Sequence, residues 1–208
     1  MRIQVGPELG HDDTCKAADI TSEGRRLPTP GVVMKAEAIL VAGEWLETHD
    51  RVFDVIIIDL SDPTEEGPCY RLYTREFYQL VNRRLSSQGT IALQSGTVAP
   101  HDLLNFSAVY RTLLTAFPVV CPYSVNVPCF GLPWGFQMAS KEVDPRAYSA
   151  ADYDKMIARR IQGELKYLTG EVCIAQTALP KHLQARLASE TRLIEDDAPL
   201  YTYHAPAH

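Results

Sequence analysis

Asp59 and Asp62 stand where an apolar run gives way to a loop, and two carboxylates so placed could hold a cation or take a proton. The run before them, Val55-Ile56-Ile57-Ile58, is β-branched throughout. That pattern predicts a strand buried on both faces. It stops at Asp59, and Pro63 then pushes Asp62 away from helical geometry. In an open α/β sheet, ligands bind at the carboxyl ends of the strands. One carboxylate there could accept a proton from an amine nucleophile while the other anchors a cationic group on the same substrate. An ammonium has no free lone pair, so a nearby base helps it to attack. Spacing alone also fits, and by itself favours, a plain Asx-turn or cap.

The elements that would hold these acids can be read in order. Residues 1–31 lack a helical or strand period and are rich in Gly, Pro, Asp, Thr and Ser, so the reading is an irregular or disordered segment. Val32 to Val41 reads as a strand with a short helix at its start, and Glu44 to Glu47 as a single helical turn. The central strand covers Phe53 to Asp59. Tyr73 to Leu85 is a predicted helix with Thr74 as N-cap and Phe77, Leu80, Val81 and Leu85 on one face. Ser86 to Gly89 is a turn before a strand at Thr90 to Gln94. Asp102 is placed to cap a helix running to about Phe117, with Leu103, Phe106, Val109, Tyr110, Leu113 and Leu114 inward. Val119 to Val127, interrupted by Pro122, and Gly135 to Ser140 are strands. Tyr153 to Leu168 reads as a helix, Val172 to Ala175 as a short strand, and Pro180 to Ser189 as a helix. The alternation predicts an α/β fold, a mostly parallel sheet with helices on both faces.

Composition narrows the functional classes. The chain has 208 residues, 46% of them hydrophobic, enough for one sizeable core. A net charge of −6 carries no basic footprint, so no nucleic-acid partner is expected. The five cysteines form no CxxC pair, and the histidines have no ligand spacing, so no metal site is read. A reducing, cytoplasmic setting follows as the default. No apolar run approaches the ~20 residues of a membrane span.

The wider segment around the two acids is more specific. Asp59-Leu60-Ser61-Asp62-Pro63, then Leu72-Tyr73 and Phe77-Tyr78, resembles the polyamine synthase (aminopropyltransferase) family. Glu66 to Tyr70 followed by Leu72-Tyr73-Thr74 is most similar to its thermospermine synthase branch. The resemblance continues at Ile91 to Gln94, Val127 to Phe130, Trp134 to Ser140, Glu164 to Glu171 and Ala178 to Lys181. It covers roughly residues 39–205. It implies a Rossmann-like sheet of the S-adenosylmethionine-dependent methyltransferase type, and an aminopropyltransferase domain over 32–208. The implied reaction moves an aminopropyl group from decarboxylated S-adenosylmethionine, a co-substrate, to a polyamine such as spermidine. A sulfonium leaving group needs no metal, and no cofactor is implied. Asp59 matches the proton acceptor and Asp62 the residue that binds the amine. Gln94 would line the same cleft, and Tyr73 would contact substrate through its hydroxyl. Phe130, where spermidine synthases tend to have Tyr, and Trp134 would wall the methylene groups, with core packing as the competing reading. A homo-oligomer is compatible with all of this.

The nucleoside half of such a site is not visible. The family's pattern includes a glycine-rich turn after its first strand and an Asp near the adenine. Gly6 to Gly10 has no buried strand before it, and Val41-Ala42-Gly43-Glu44 has no Asp. The sheet is therefore expected to be N-terminally incomplete, with one edge of the Val55–Ile58 strand unpaired. A catalytically silent domain that keeps the polyamine half-site, or pairs with another chain, is the alternative. A small-molecule methyltransferase is a third.

Overall fold

The computed structural model describes residues 2–4, 31–35, 39–65 and 67–202. Six strands form one sheet: β1 (Arg2–Gln4), β2 (Gly31–Lys35), β3 (Phe53–Asp59), β4 (Leu85–Thr97), β5 (Val119–Asn126) and β6 (Pro133–Ser140). Their order is β1-β2-β3-β4-β6-β5. The pairs β1/β2, β2/β3 and β3/β4 are parallel, whereas β4/β6 and β5/β6 are antiparallel. The helices are α1 (Ile39–Thr48), α2 (Arg75–Arg83), α3 (Leu104–Leu113), α4 (Ala150–Arg160), α5 (Gly170–Thr177) and α6 (Lys181–Ser189).

Both edges of β3 are paired, which corrects the expectation of an open edge. Gly31 to Lys35 run beside Val55 to Asp59, and Ile56, Ile57 and Ile58 lie beside Ile91, Ala92 and Leu93. Arg2–Gln4 is a strand, so the reading of residues 1–31 as wholly irregular fails at its ends. Gly6 to Gly10 lies outside the described residues. The strand read over Val32 to Val41 ends at Lys35, and the turn at Glu44 to Glu47 is part of the ten-residue α1. Arg84 closes the end of α1 from a distance. Its Nε donates to Leu46 O (2.7 Å) and its Nη1 to Asp50 Oδ1 (2.8 Å).

The core lies on one face of the sheet. Ile56, Ile58, Ile91 and Leu93 pack with Tyr78, Val81, Ala108, Val109 and Leu113. On the other face Val55 is 37% and Ile57 40% exposed, so β3 is not buried on both sides. There α4 stands off from the sheet across a cleft of about 1050 Å³, lined by Val55, Thr90, Met138, Tyr153 and Met156 among others. An all-apolar run therefore does not by itself report two covered faces. β-branched residues also suit the strand backbone.

Other boundaries shift for local reasons. Thr74 caps α2 as expected, its Oγ1 accepting from Phe77 N–H at 3.4 Å. Ser86 to Gly89 is not a turn but the start of β4, with a bulge opposite Phe53 and Val55. Pro122 does not interrupt β5, which is an edge strand and so tolerates a missing N–H. Asp102 does not cap α3; the N-cap is Leu103, without a side-chain bond, and Leu114 is exposed. α4 ends at Arg160 rather than Leu168, and residues 170–177 are helical, not a strand. Asp154 Oδ1 accepts from Gly170 N–H (2.7 Å), which ties the start of α5 to α4.

Candidate active site

The site forms where β3 and β4 end side by side. Gln94 is its centre. It lies near the end of β4 and is buried. Its Nε2 donates to Leu60 O (2.6 Å), Tyr73 Oη (2.9 Å) and Asp62 Oδ1 (3.1 Å). Its Oε1 accepts from Gly96 N–H (2.9 Å) and Trp134 Nε1–H (3.0 Å). The amide can sit only this way round. Gly96 N–H and the indole N–H are donors alone, and Leu60 O is an acceptor alone. Two Nε2 hydrogens serve three acceptors, so one is shared.

Each partner is held by its own element. Tyr73 closes a short 3-10 helix, Pro68–Tyr73, and is 1% exposed. Its hydroxyl donates to Ser61 O at 3.1 Å and accepts from Gln94, so the phenol ties the loop just before Asp62 to β4. Burial, with lesser effects from Tyr78 and Asp62, holds its pKa well above the usual tyrosine range, and it stays protonated. Gly96 adopts φ 84°, the left-handed region, which turns its N–H back toward Gln94. Trp134 is the second residue of β6, opposite Thr97, and Gly135 beside it leaves room for Phe106 of α3.

Asp62 is half-buried. Burial raises its carboxyl above the usual carboxylate range; the bond from Gln94 works against this, and the charge of Asp102 adds to the rise. Asp102, read from sequence only as a cap, therefore belongs to the electrostatics of the site. An acid on the loop after a strand's carboxyl end was the signal available for it. Gly96, two residues after Gln94, was also missed.

Of the six residues read from sequence, the structure joins four directly: Asp62, Tyr73, Gln94 and Trp134. Phe130 joins through its ring, 4.7 Å centroid to centroid from Trp134, and is 52% exposed. It is thus not core, and it offers an open apolar surface beside the indole. Asp59 ends β3 on the exposed face, in backbone register with Lys35. It lies outside the Gln94 cluster. Among the described residues no group of three or more His, Cys, Asp or Glu could hold a metal ion. No described helix is long and apolar enough to cross a membrane.

Comparison with known proteins shows what the chain as a whole is similar to. The spermine/spermidine synthase domain family matches residues 37–148. A polyamine aminopropyltransferase of Synechococcus sp. (strain JA-2-3B'a(2-13)) is 32% identical over 160 residues, which is 75% of this chain and 51% of that protein. The thermospermine synthase ACAULIS5 of Arabidopsis thaliana is 35% identical over 160 residues, 73% of this chain and 45% of that one. A spermidine synthase solved in complex with the transition state analogue AdoDATO superimposes with a TM-score of 0.61 at 31% identity, covering 71% of this chain and 49% of its own. The chain spans about half the length of the curated relatives it matches.

Proposed function

Because this chain belongs to the spermine/spermidine synthase domain family, we propose that it transfers an aminopropyl group from decarboxylated S-adenosylmethionine to a polyamine, with spermidine the acceptor and thermospermine or spermine the product. The observation that carries the reading is the Gln94 cluster. It gathers a half-buried carboxylate, a locked phenol and an indole at the ends of β3 and β4. An ammonium beside Asp62 would favour the charged form that burial disfavours. The exposed Phe130 ring and Trp134 offer a surface for methylene groups.

In this reading the lone pair of the acceptor amine attacks the methylene carbon next to the sulfonium. A carbon–nitrogen bond forms as the carbon–sulfur bond breaks. The electron pair of the broken bond neutralises sulfur, leaving 5′-methylthioadenosine. The amine gives up one proton, and Asp59 at the exposed end of β3 takes it. The reaction needs two small molecules and neither metal nor nucleic acid. It fits a reducing cytoplasm, in keeping with free Cys69, Cys121, Cys129 and Cys173.

A second reading is a binding or dimerising module that keeps only the amine half of the site. The exposed Val55 and Ile57 favour it, because an open sheet face can seat another chain. Calorimetry separates the two. The transferase binds both spermidine and 5′-methylthioadenosine; the module binds spermidine alone. Failure to bind either overturns both.

A further inference from the structure

The C-terminal segment crosses the molecule to reach the loop that carries Asp62. It leaves α6 and crosses α3, where Ile194 N–H donates to Thr112 Oγ1 at 3.0 Å. Ile194 O then accepts from Arg75 N–H at 2.7 Å, at the first residue of α2. Arg75 Nη1 pairs with Glu195 (2.7 Å), and Glu76 Oε2 accepts from Asp196 N–H (3.2 Å). A tight turn follows, with Glu195 and Ala198 exchanging backbone bonds at 3.3 and 3.0 Å. Leu200 packs against the core. The Tyr201 ring meets Tyr70 edge-to-face at 5.7 Å, and Thr202 N–H donates to Pro63 O at 2.8 Å.

These contacts fall on the stretch of chain that follows one acid. Pro63 follows Asp62 directly, and Tyr70 lies in the 3-10 helix that ends at Tyr73. From inside, the loop is held by Tyr73 Oη to Ser61 O and by Gln94. From outside, the Tyr201–Thr202 pair holds it. Nothing in local propensity fixes a loop of this kind. Its position depends on such bonds.

We infer that Ile194–Thr202 is a strap that sets the position of the Asp62 carboxylate, with Tyr201 and Thr202 as positioning residues for the amine end of the site. Neither residue needs to touch the substrate. The inference rests on the proposed function for what Asp62 binds, but not for the strap's hold on the loop.

Two readouts test it on the full chain. Thr202→Pro removes the N–H that meets Pro63, and Tyr201→Ala removes the ring. One readout is spermidine affinity by calorimetry. The other is the NMR signal of the Gln94 side-chain amide, whose protons face Leu60 O and Asp62. Each variant should weaken spermidine binding roughly three- to tenfold, the worth of about one hydrogen bond. Each should also shift the Gln94 amide signal, with the melting temperature little changed. Tyr201→Phe, which keeps the ring edge, should restore what Tyr201→Ala loses. If both variants leave affinity and the Gln94 signal as in the parent chain, the strap does not position Asp62. If the parent chain binds no spermidine, the amine reading fails; the Gln94 signal then decides the strap alone, and an unmoved signal overturns it. Should Thr202→Pro fail to fold, the Tyr201 pair of variants carries the same decision.

Discussion

Gln94 Nε2 lies 3.1 Å from Asp62 Oδ1 and so ties the end of one strand to a carboxylate on the loop after its neighbour. The same nitrogen holds Leu60 O and Tyr73 Oη. Gln94→Glu keeps the oxygen that accepts from Trp134 and Gly96 but loses the donor. A carboxylate would then face Asp62 and a carbonyl. The expected cost is about 1–3 kcal/mol at pH 7 in urea denaturation, shrinking near pH 4, where the introduced carboxyl is protonated and can donate again. Equal stability of the variant and parent at pH 7 would remove Gln94 from the centre of the site.

Asp62 is predicted to cost the free protein stability. Its carboxyl titrates above the ordinary value because burial penalises the charge. A raised folded-state pKa means that the stability is full below the unfolded pKa and is lost as pH rises through the folded one. Asp62→Asn keeps the acceptor oxygen and removes the charge. Thermal melts should show the variant more stable than the parent at pH 7 and equal at pH 3. Spermidine binding should fall at the same time. A variant less stable at pH 7 would contradict the burial argument.

Glu190 behaves in the opposite sense. It is buried and accepts from Ser107 Oγ (2.7 Å), Arg186 Nη2 (2.8 Å) and Arg192 Nη2 (2.8 Å). The bond from Arg192 is the main cause that brings its pKa down to about 2. The stability it adds is present above the unfolded pKa and fades as pH falls toward 2. Glu190→Gln should lose about 2–3 kcal/mol at pH 7 and little near pH 2, read from denaturation midpoints. A pH-independent difference would show that packing, not charge, is what the residue supplies.

Trp134→Phe tests the apolar wall apart from the hydrogen bond. The ring facing Phe130 is kept, and the donor to Gln94 Oε1 is lost. The expected loss is about 1 kcal/mol of stability. Because Gln94 also orients Asp62, spermidine affinity should drop more in this variant than in Phe130→Leu, as calorimetry can decide.

Much of this was legible in the sequence, for reasons that differ by region. β3, the Thr74 cap and the inward face of α2 follow from local pattern, which their packing respects. The Asp62–Tyr73–Gln94–Trp134 grouping was readable only through family resemblance, because its members come from separate elements. The open face of β3 was not legible, since Val55 and Ile57 fit a buried and an exposed strand alike. Nor was α5, whose Val172 to Ala175 run is short and apolar and has no clear period; Thr169 Oγ1, accepting from Val172 N–H at 3.2 Å, starts it as a helix. The strap was hidden too, because Thr202 acts through its backbone.

The central claim is aminopropyl transfer with Asp59 as the base. The direct measurement is to incubate the chain with decarboxylated S-adenosylmethionine and spermidine and quantify products by mass spectrometry, beside Asp59→Asn. The account predicts 5′-methylthioadenosine and a tetraamine in equal amounts from the parent chain, and a loss of roughly 10²-fold or more in the folded variant. Absence of both products from the parent chain, or an unchanged rate in Asp59→Asn, would contradict it.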